Sequence, residues 1–259
     1  MASQILKVLK SSFINIYVYR KELLKLSKFN KQYREFVKLD TKAKLSTCIS
    51  DWYPCLNDNT ENTSFDAHYV YHPAWAARII KQINPVKHID ISSTLHFCTI
   101  LSAFIPTDFY DFRPAKLTLS NLYSGKADLT SLHFNSNSIE SLSCMHTIEH
   151  IGLGRYGDSL DPDGDFKAIK EIKRVIKPGG SLLFVTPVGR PKVMFNAHRV
   201  YDPNAIKSMF DGFTLKSFSL VKDNNDFVEE ASLKEGRNQN YGCGCFWFVK
   251  IIDDYNKFS

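Results

Sequence analysis

The apolar positions follow two rhythms. Over residues 4–39, Leu23, Leu24, Leu26, Phe29, Tyr33, Phe36 and Val37 recur at helical spacing among lysines and arginines. This predicts a helix, broken near Ser11-Ser12 and again near residues 28–30. A polar stretch from Asn57 to Ser64, after Trp52-Tyr53-Pro54, reads as a loop and a boundary. It separates a helical extension, residues 1–60, from a main domain, residues 61–259. The main domain opens with a helix that Pro73 can start at its first turn. That helix runs to Ile83, with Trp75, Ile79 and Ile80 inward.

Beyond it, short apolar runs alternate with helical ones. Strands are predicted over residues 86–91, 108–111, 126–128, 139–145 and 181–186. Helices are predicted over 92–104, 165–176 and 203–210, and Lys177-Pro-Gly-Gly180 closes the second of these. Strands alternating with helices argue a parallel sheet covered on both faces. Two longer runs, 213–222 and 241–251, have no helical pattern between them and argue an antiparallel closing pair.

Composition changes this picture little. The 44% hydrophobic and 23% charged residues suit a soluble globular chain. The net charge of +6 is uneven. Residues 1–45 hold eleven basic and three acidic side chains, so the main domain is slightly acidic and gives no reason to expect a nucleic-acid partner. The basic helix suits contact with another subunit or its own domain, or a peripheral hold on an anionic membrane. The first twenty residues lack a long apolar core with a cleavage site, so a cytoplasmic chain is expected. Six scattered cysteines fit a reducing compartment. Cys243-Gly-Cys245 could bind a metal, but it lacks a second pair at zinc-finger spacing and sits in an apolar strand run, so strand packing is the favoured reading.

Chemistry concentrates between Ser143 and Asp165, where an apolar strand gives way to His, Glu, Arg, Asp and Gly. In open parallel sheets, ligands bind beyond the carboxyl ends of strands. Asp90, Asp111, Asp128 and His146 all fall at such ends. His150 and His198 are candidate proton acceptors. Glu149 is a candidate base or a partner of turn amides. Arg155, among Gly152, Gly154 and Gly157, suits an anion. Asp158 is read as functional and Asp165 as a helix cap. His68, Tyr69, Tyr71 and His72 form an aromatic cluster that either lines a pocket or packs its helix. His146 to His150 also matches a zinc-protease pattern, but it ends a strand rather than sitting on a helix. No residue is assigned to a metal. A divalent ion held by some of His146, His150, Asp158, Asp161, Asp163, Asp165 and His198 stays open as an alternative.

The run from Ala127 to Ile151 resembles the fourth-strand region of class I S-adenosylmethionine-dependent methyltransferases. Ile169 to Val185 resembles the following helix, turn and strand of that fold. The string from His146 to Asp158, with Phe195-Asn-Ala-His-Arg199 downstream, is similar to the family named domain of unknown function 268. Its members occur beside bacterial surface-polysaccharide genes and in nematodes. The resemblance implies a Rossmann-like α/β fold and S-adenosylmethionine as cofactor. It assigns Asp90 to the first-strand acid, Ser92 to the turn, Asp111 to the ribose hydroxyls, Asp128 with Leu129 to the adenine, and His146 to the rim. Where the family favours glycines, this chain has Ser92-Ser93-Thr94. The expectation is a methyltransferase-like enzyme acting on a sugar or sugar nucleotide in surface-polysaccharide biosynthesis. Two alternatives remain: a non-methylating isomerase, lyase or hydrolase on the same fold, and a non-catalytic partner in polysaccharide assembly.

Overall fold

The computed structural model of the chain describes residues 2–42 and 45–252, residues 2–17 by backbone alone. The chain divides into two compact units, Met1–Ser64 and Phe65–Ser259.

The first unit holds helix α1, Ala2–Leu39. It is unbroken where interruptions were expected, at Ser11-Ser12 and at residues 28–30. The segment contains no Gly or Pro, and Ser or Asn alone costs a helix only a few tenths of a kcal/mol, roughly 0.5 each. Trp52 packs edge-on against Phe29 at 5.1 Å and Tyr33 at 4.8 Å. Leu23, Leu24, Phe36, Val37 and Leu39 are exposed. Among the described residues, no helix is long and apolar enough to cross a membrane.

The second unit is built on an eight-stranded sheet. Its strands are β1 (His88–Ile91), β2 (Thr107–Asp111), β3 (Leu122–Lys126), β4 (Ile139–Met145), β5 (Ile176–Val188), β8 (Phe213–Val221), β9 (Phe227–Val228) and β10 (Gly242–Lys250). A separate hairpin pairs β6 (Lys192–Met194) with β7 (His198–Val200). The sheet order is β3-β2-β1-β4-β5-β10-β8-β9. The first five strands are parallel, and β10 inserts antiparallel between β5 and β8. The fold is thus the mostly parallel α/β sheet with antiparallel closing strands and an N-terminal helix.

Period-two alternation splits the strands between two cores. Leu142 and Cys144 of β4, Leu182 and Phe184 of β5, and Phe246 and Phe248 of β10 face α4 (Gly164–Val175) and α5 (Pro203–Met209). Met145, Leu183, Val185, Cys243 and Cys245 face α2 (Ala67–Ile83) and α3 (Leu95–Leu101). Both faces are covered, which explains why the central strands read as continuous apolar runs. Each fully buried Leu, Ile or Phe stabilises the fold by about 1.5–3 kcal/mol. Helix α4 presents Ala168, Ile169, Ile172 and Val175 inward, and its charged side chains other than Asp165 stay on the outer side.

Several boundaries differ from expectation. Helix α2 starts at Ala67, not at Pro73, because the Asp66 carboxylate accepts the Tyr69 amide at 3.2 Å and caps it earlier. Strand β3 ends at Lys126, so Asp128 lies in the loop after it. Lys177-Pro-Gly-Gly180 is absorbed into β5: the pairing register with β4 slips between Ile139 and Ser141, and Gly179 takes φ +75°. The β6–β7 hairpin, β9 and α6 (Leu233–Arg237) occupy segments in which no element was expected. Asp165 is not the cap of α4. Asp163 holds that position, and Asp165 is buried in the first turn, where it accepts the Tyr201 hydroxyl at 2.8 Å.

Candidate active site

Strand order reverses between β1 and β4, where neighbours on either side run to opposite edges of the sheet. Crevices open at such points beyond the carboxyl ends of the strands. Here a cavity of about 460 Å³ opens, within the usual range for small-molecule sites. Its wall includes Ser92, Asp111, Asp128, Leu129, His146, His150 and Asp158.

The turn after β1 shows how the missing glycines are replaced. Ser92 sits at φ +57°, the left-handed conformation that glycine adopts freely. An L-residue there costs about 1–2 kcal/mol. The Ser92 amide bonds the Tyr110 carbonyl at 2.7 Å, and the Thr147 hydroxyl donates to the Ser92 carbonyl at 3.1 Å. Thr94 caps α3 by accepting the Phe97 amide at 3.3 Å. The backbone path of a glycine turn is therefore kept by a residue that is not glycine.

Asp90 lies beneath this turn and is fully buried. Burial pushes its carboxyl up to about 7, against the hydrogen bond that the Ser143 hydroxyl donates to it. Its second oxygen has no partner. His88 sits behind, within 2.8 Å of the Ser141 hydroxyl and 2.9 Å of the Ser143 hydroxyl; burial lowers its pKa to about 3. Asp111 and Asp128 face the cavity. Asp111 accepts the Arg113 amide at 2.7 Å, and Asp128 accepts the Thr130 amide and hydroxyl at 2.8 and 2.6 Å. In both cases the bonds recorded engage only Oδ1.

At the end of β4 the chain turns through His146, at φ +53°. Its Nδ1 donates to Glu149 Oε1 at 2.8 Å. Burial works against charge on this imidazole; Cys243 and the Glu149 carboxylate outweigh it and lift the pKa to about 10. Glu149 is itself buried and holds the imidazole, not turn amides. His150 Nδ1 donates to the Ala197 carbonyl at 2.6 Å, which leaves its Nε2 as the lone-pair nitrogen. Arg155 donates to the same carbonyl at 3.1 Å and covers one face of Tyr156; Arg113 covers that ring at 4.6 Å. His198, like Glu149 and Arg155, is absent from the cavity wall. Its ring lies 6.4 Å from His150 and 4.8 Å from Tyr241, and burial lowers its pKa.

The glycine loop is organised from within. Asp158 accepts the amides of Gly152, Gly154 and Tyr156 at 2.7, 3.4 and 3.2 Å. Gly152 has φ +77°, and a Cβ there would meet the Asp161 carbonyl oxygen at 1.9 Å. Arg199 ties the loop to β7 through the Ile151 carbonyl at 2.6 Å, the Pro162 carbonyl at 3.2 Å and Asp165 at 3.5 Å. Asp158 and Arg199 thus shape the loop. Of the residues considered for a divalent ion, only His146 belongs to a cluster of three close ligand atoms among the described residues. Arg113, Thr130, Thr147 and Tyr156 also line the cavity. Arg113 was legible as a basic residue two positions after the second-strand acid, and Tyr156 as the one aromatic residue within the glycine run.

Comparison with known proteins agrees with this architecture. Residues 126–242 match the model of a family described as Caenorhabditis protein of unknown function, DUF268. Among solved structures, the chain is similar to the 1,6-didemethyltoxoflavin N1-methyltransferase of Burkholderia thailandensis, crystallised with its acceptor and S-adenosylhomocysteine. The TM-score is 0.50 at 11% identity, over 70% of this chain and 79% of that one. It is also similar to the YcgJ protein of Bacillus subtilis, with TM-score 0.47 and 13% identity over 69% and 99%. A third is an S-adenosylmethionine-dependent methyltransferase of Thermotoga maritima, with TM-score 0.44 and 16% identity over 71% and 91%. No curated protein matches the sequence. The chain has the methyltransferase-like fold, and the resemblance to the family read from its motifs extends over residues 126–242.

Proposed function

We propose that the chain is an S-adenosylmethionine-dependent methyltransferase acting on a small polar acceptor, a sugar or sugar nucleotide of surface-polysaccharide biosynthesis. The observation that carries this reading is the convergence of Ser92, Asp111 and Asp128 on one cavity at the strand-order reversal. The turn fits the cofactor because Ser92 keeps the left-handed backbone. Asp111 would accept from the ribose hydroxyls, Asp128 would accept from the adenine amine, and Leu129 would flank the ring. When bound, S-adenosylmethionine supplies an electrophilic methyl group. Asp90 fixes the turn from below. His150 Nε2 takes the proton of the acceptor hydroxyl as that oxygen becomes nucleophilic. Arg113 and Arg155, both over the Tyr156 ring, suit an anionic group such as a sugar phosphate. His198 and Glu149 support the imidazoles beside them, and Asp158 holds the loop that carries Arg155.

The serine-rich turn favours one second reading, a His/Asp acid–base enzyme on the same fold that does not transfer methyl groups. The N-terminal helix, with its exposed Leu, Phe and Val among lysines, would serve as a contact to another subunit or to anionic lipid. The test is transfer of labelled methyl to a panel of sugars and sugar nucleotides. Label in a hydroxyl ether supports methyl transfer. Cofactor consumed by no member of the panel, with unlabelled sugar rearranged or cleaved instead, favours the second reading.

A further inference from the structure

The cluster above the end of β4 contains more than the methyl-transfer reading uses. His68, in the first turn of α2, stacks on His146 at 5.7 Å and on Tyr241 at 5.2 Å. Cys243, the second residue of β10, points to the same side of the sheet as α2. One ligand atom from each of His68, His146 and Cys243 lies within 4.8 Å of the others.

A second feature is independent of that proximity. His146 Nδ1 donates to Glu149 Oε1 at 2.8 Å, so Nε2 is the nitrogen left to face the cluster. That Nε2 is buried, and the group that meets it is the Cys243 thiol. A buried imidazole nitrogen that meets only a thiol is poorly satisfied unless something binds between them. A carboxylate that orients a histidine while its other nitrogen points at a thiol and a second imidazole is the second-shell arrangement of protein metal centres.

We propose that His68, His146 and Cys243 bind a single zinc-class divalent ion, with Glu149 orienting His146. One thiolate and two imidazoles are borderline-soft ligands and suit Zn²⁺ over Mg²⁺ or Ca²⁺. Tetrahedral bonds of about 2.0–2.3 Å place ligand atoms roughly 3.3–3.8 Å apart, so the trio closes by about 1 Å around an ion. Binding displaces the Cys243 thiol proton and the proton on His146 Nε2, and both leave to solvent. Three protein ligands leave a fourth position for water or a substrate oxygen. Because His146 also lines the cavity, the ion would adjoin it. Cys245, whose Sγ is 3.9 Å from that of Cys243, lies beside the centre without joining the trio. The proposal stands whether or not the cavity takes S-adenosylmethionine.

The experiment is metal analysis of the full chain purified without chelator, followed by Co²⁺ titration of the chelated protein. One zinc per chain is expected, together with a thiolate-to-cobalt charge-transfer band that saturates at one equivalent. Cys243→Ser should abolish the band, His146→Gln should weaken binding at least tenfold, and Cys245→Ser should keep both metal and band. Circular dichroism of each variant checks folding. The titration of the unaltered chain decides the matter even if a variant fails to fold. No band in folded wild-type protein, or full metal content in folded Cys243→Ser, overturns the proposal.

Discussion

Replacing Asp90 by Asn isolates the cost of keeping a carboxylate under the turn that follows β1. In the folded chain Asp90 is fully buried, and burial raises its pKa from 3.8 to about 7. A raised carboxyl pKa means that the protonated form favours folding. That stability is fully present below the unfolded value of 3.8 and is lost as pH rises to about 7. At about 1.36 kcal/mol per pH unit, the whole span is roughly 4 kcal/mol, of which about 3 kcal/mol falls between pH 5 and pH 8. Asn keeps an oxygen to accept from Ser143 and carries no charge. The stability of Asp90→Asn relative to wild type should therefore grow by about 3 kcal/mol between pH 5 and pH 8. Taking the difference cancels other titrating groups, including His146, whose raised pKa costs stability from about 6.5 up to about 10. Urea unfolding of both proteins at the two pH values measures it. A stability difference that does not change with pH would refute the assignment of Asp90 as a buried, strained acid. Such a residue is retained at a cost only where the site uses it, so the stabilised variant should also bind nucleoside more weakly.

The remaining predictions concern the site and the N-terminal helix. His150→Gln should lower the methyl-transfer rate by about 10²–10⁴-fold and leave S-adenosylhomocysteine affinity unchanged, as read by single-turnover kinetics and calorimetry. Asp158→Ala frees three loop amides at once and should speed proteolytic cleavage within residues 152–160, with a loss of about 1–3 kcal/mol of stability. For α1, substituting Leu23, Leu24, Phe36 and Val37 by Ser should reduce self-association in analytical ultracentrifugation. If the helix holds lipid instead, flotation with anionic liposomes falls and sedimentation does not change.

The sheet was legible because its strands are short apolar runs between turn residues, and this two-faced burial is written directly in the sequence. Helix starts were less so. Pro73 resembles a first-turn residue, yet Asp66 caps the helix one and a half turns earlier, and a side-chain cap cannot be told from an ordinary loop acid by pattern. Asp111, Asp128 and His150 could be found because each follows a strand end. Asp90 lies beside such an end too, but its burial against Ser143, 53 positions on in β4, could not be read from the sequence. The cluster of His68, His146 and Cys243 was hidden for the same reason. Its members are separated by 78 and 97 positions in the sequence and meet only through the pairing of β10 beside β5 and the seat of α2 across them. The local reading of Cys243-Gly-Cys245 as strand packing was true to its neighbours and blind to the partner across the sheet.

Calorimetry of the purified chain with S-adenosylhomocysteine is the most direct test of methyl transfer. One saturable site with a dissociation constant below about 1 mM, or about −4.1 kcal/mol, is expected. Asp111→Asn should weaken it about 10- to 100-fold, the value of a hydrogen bond to a charged group. Absence of heat at millimolar S-adenosylhomocysteine and S-adenosylmethionine, from protein with a folded circular-dichroism spectrum, would contradict the account.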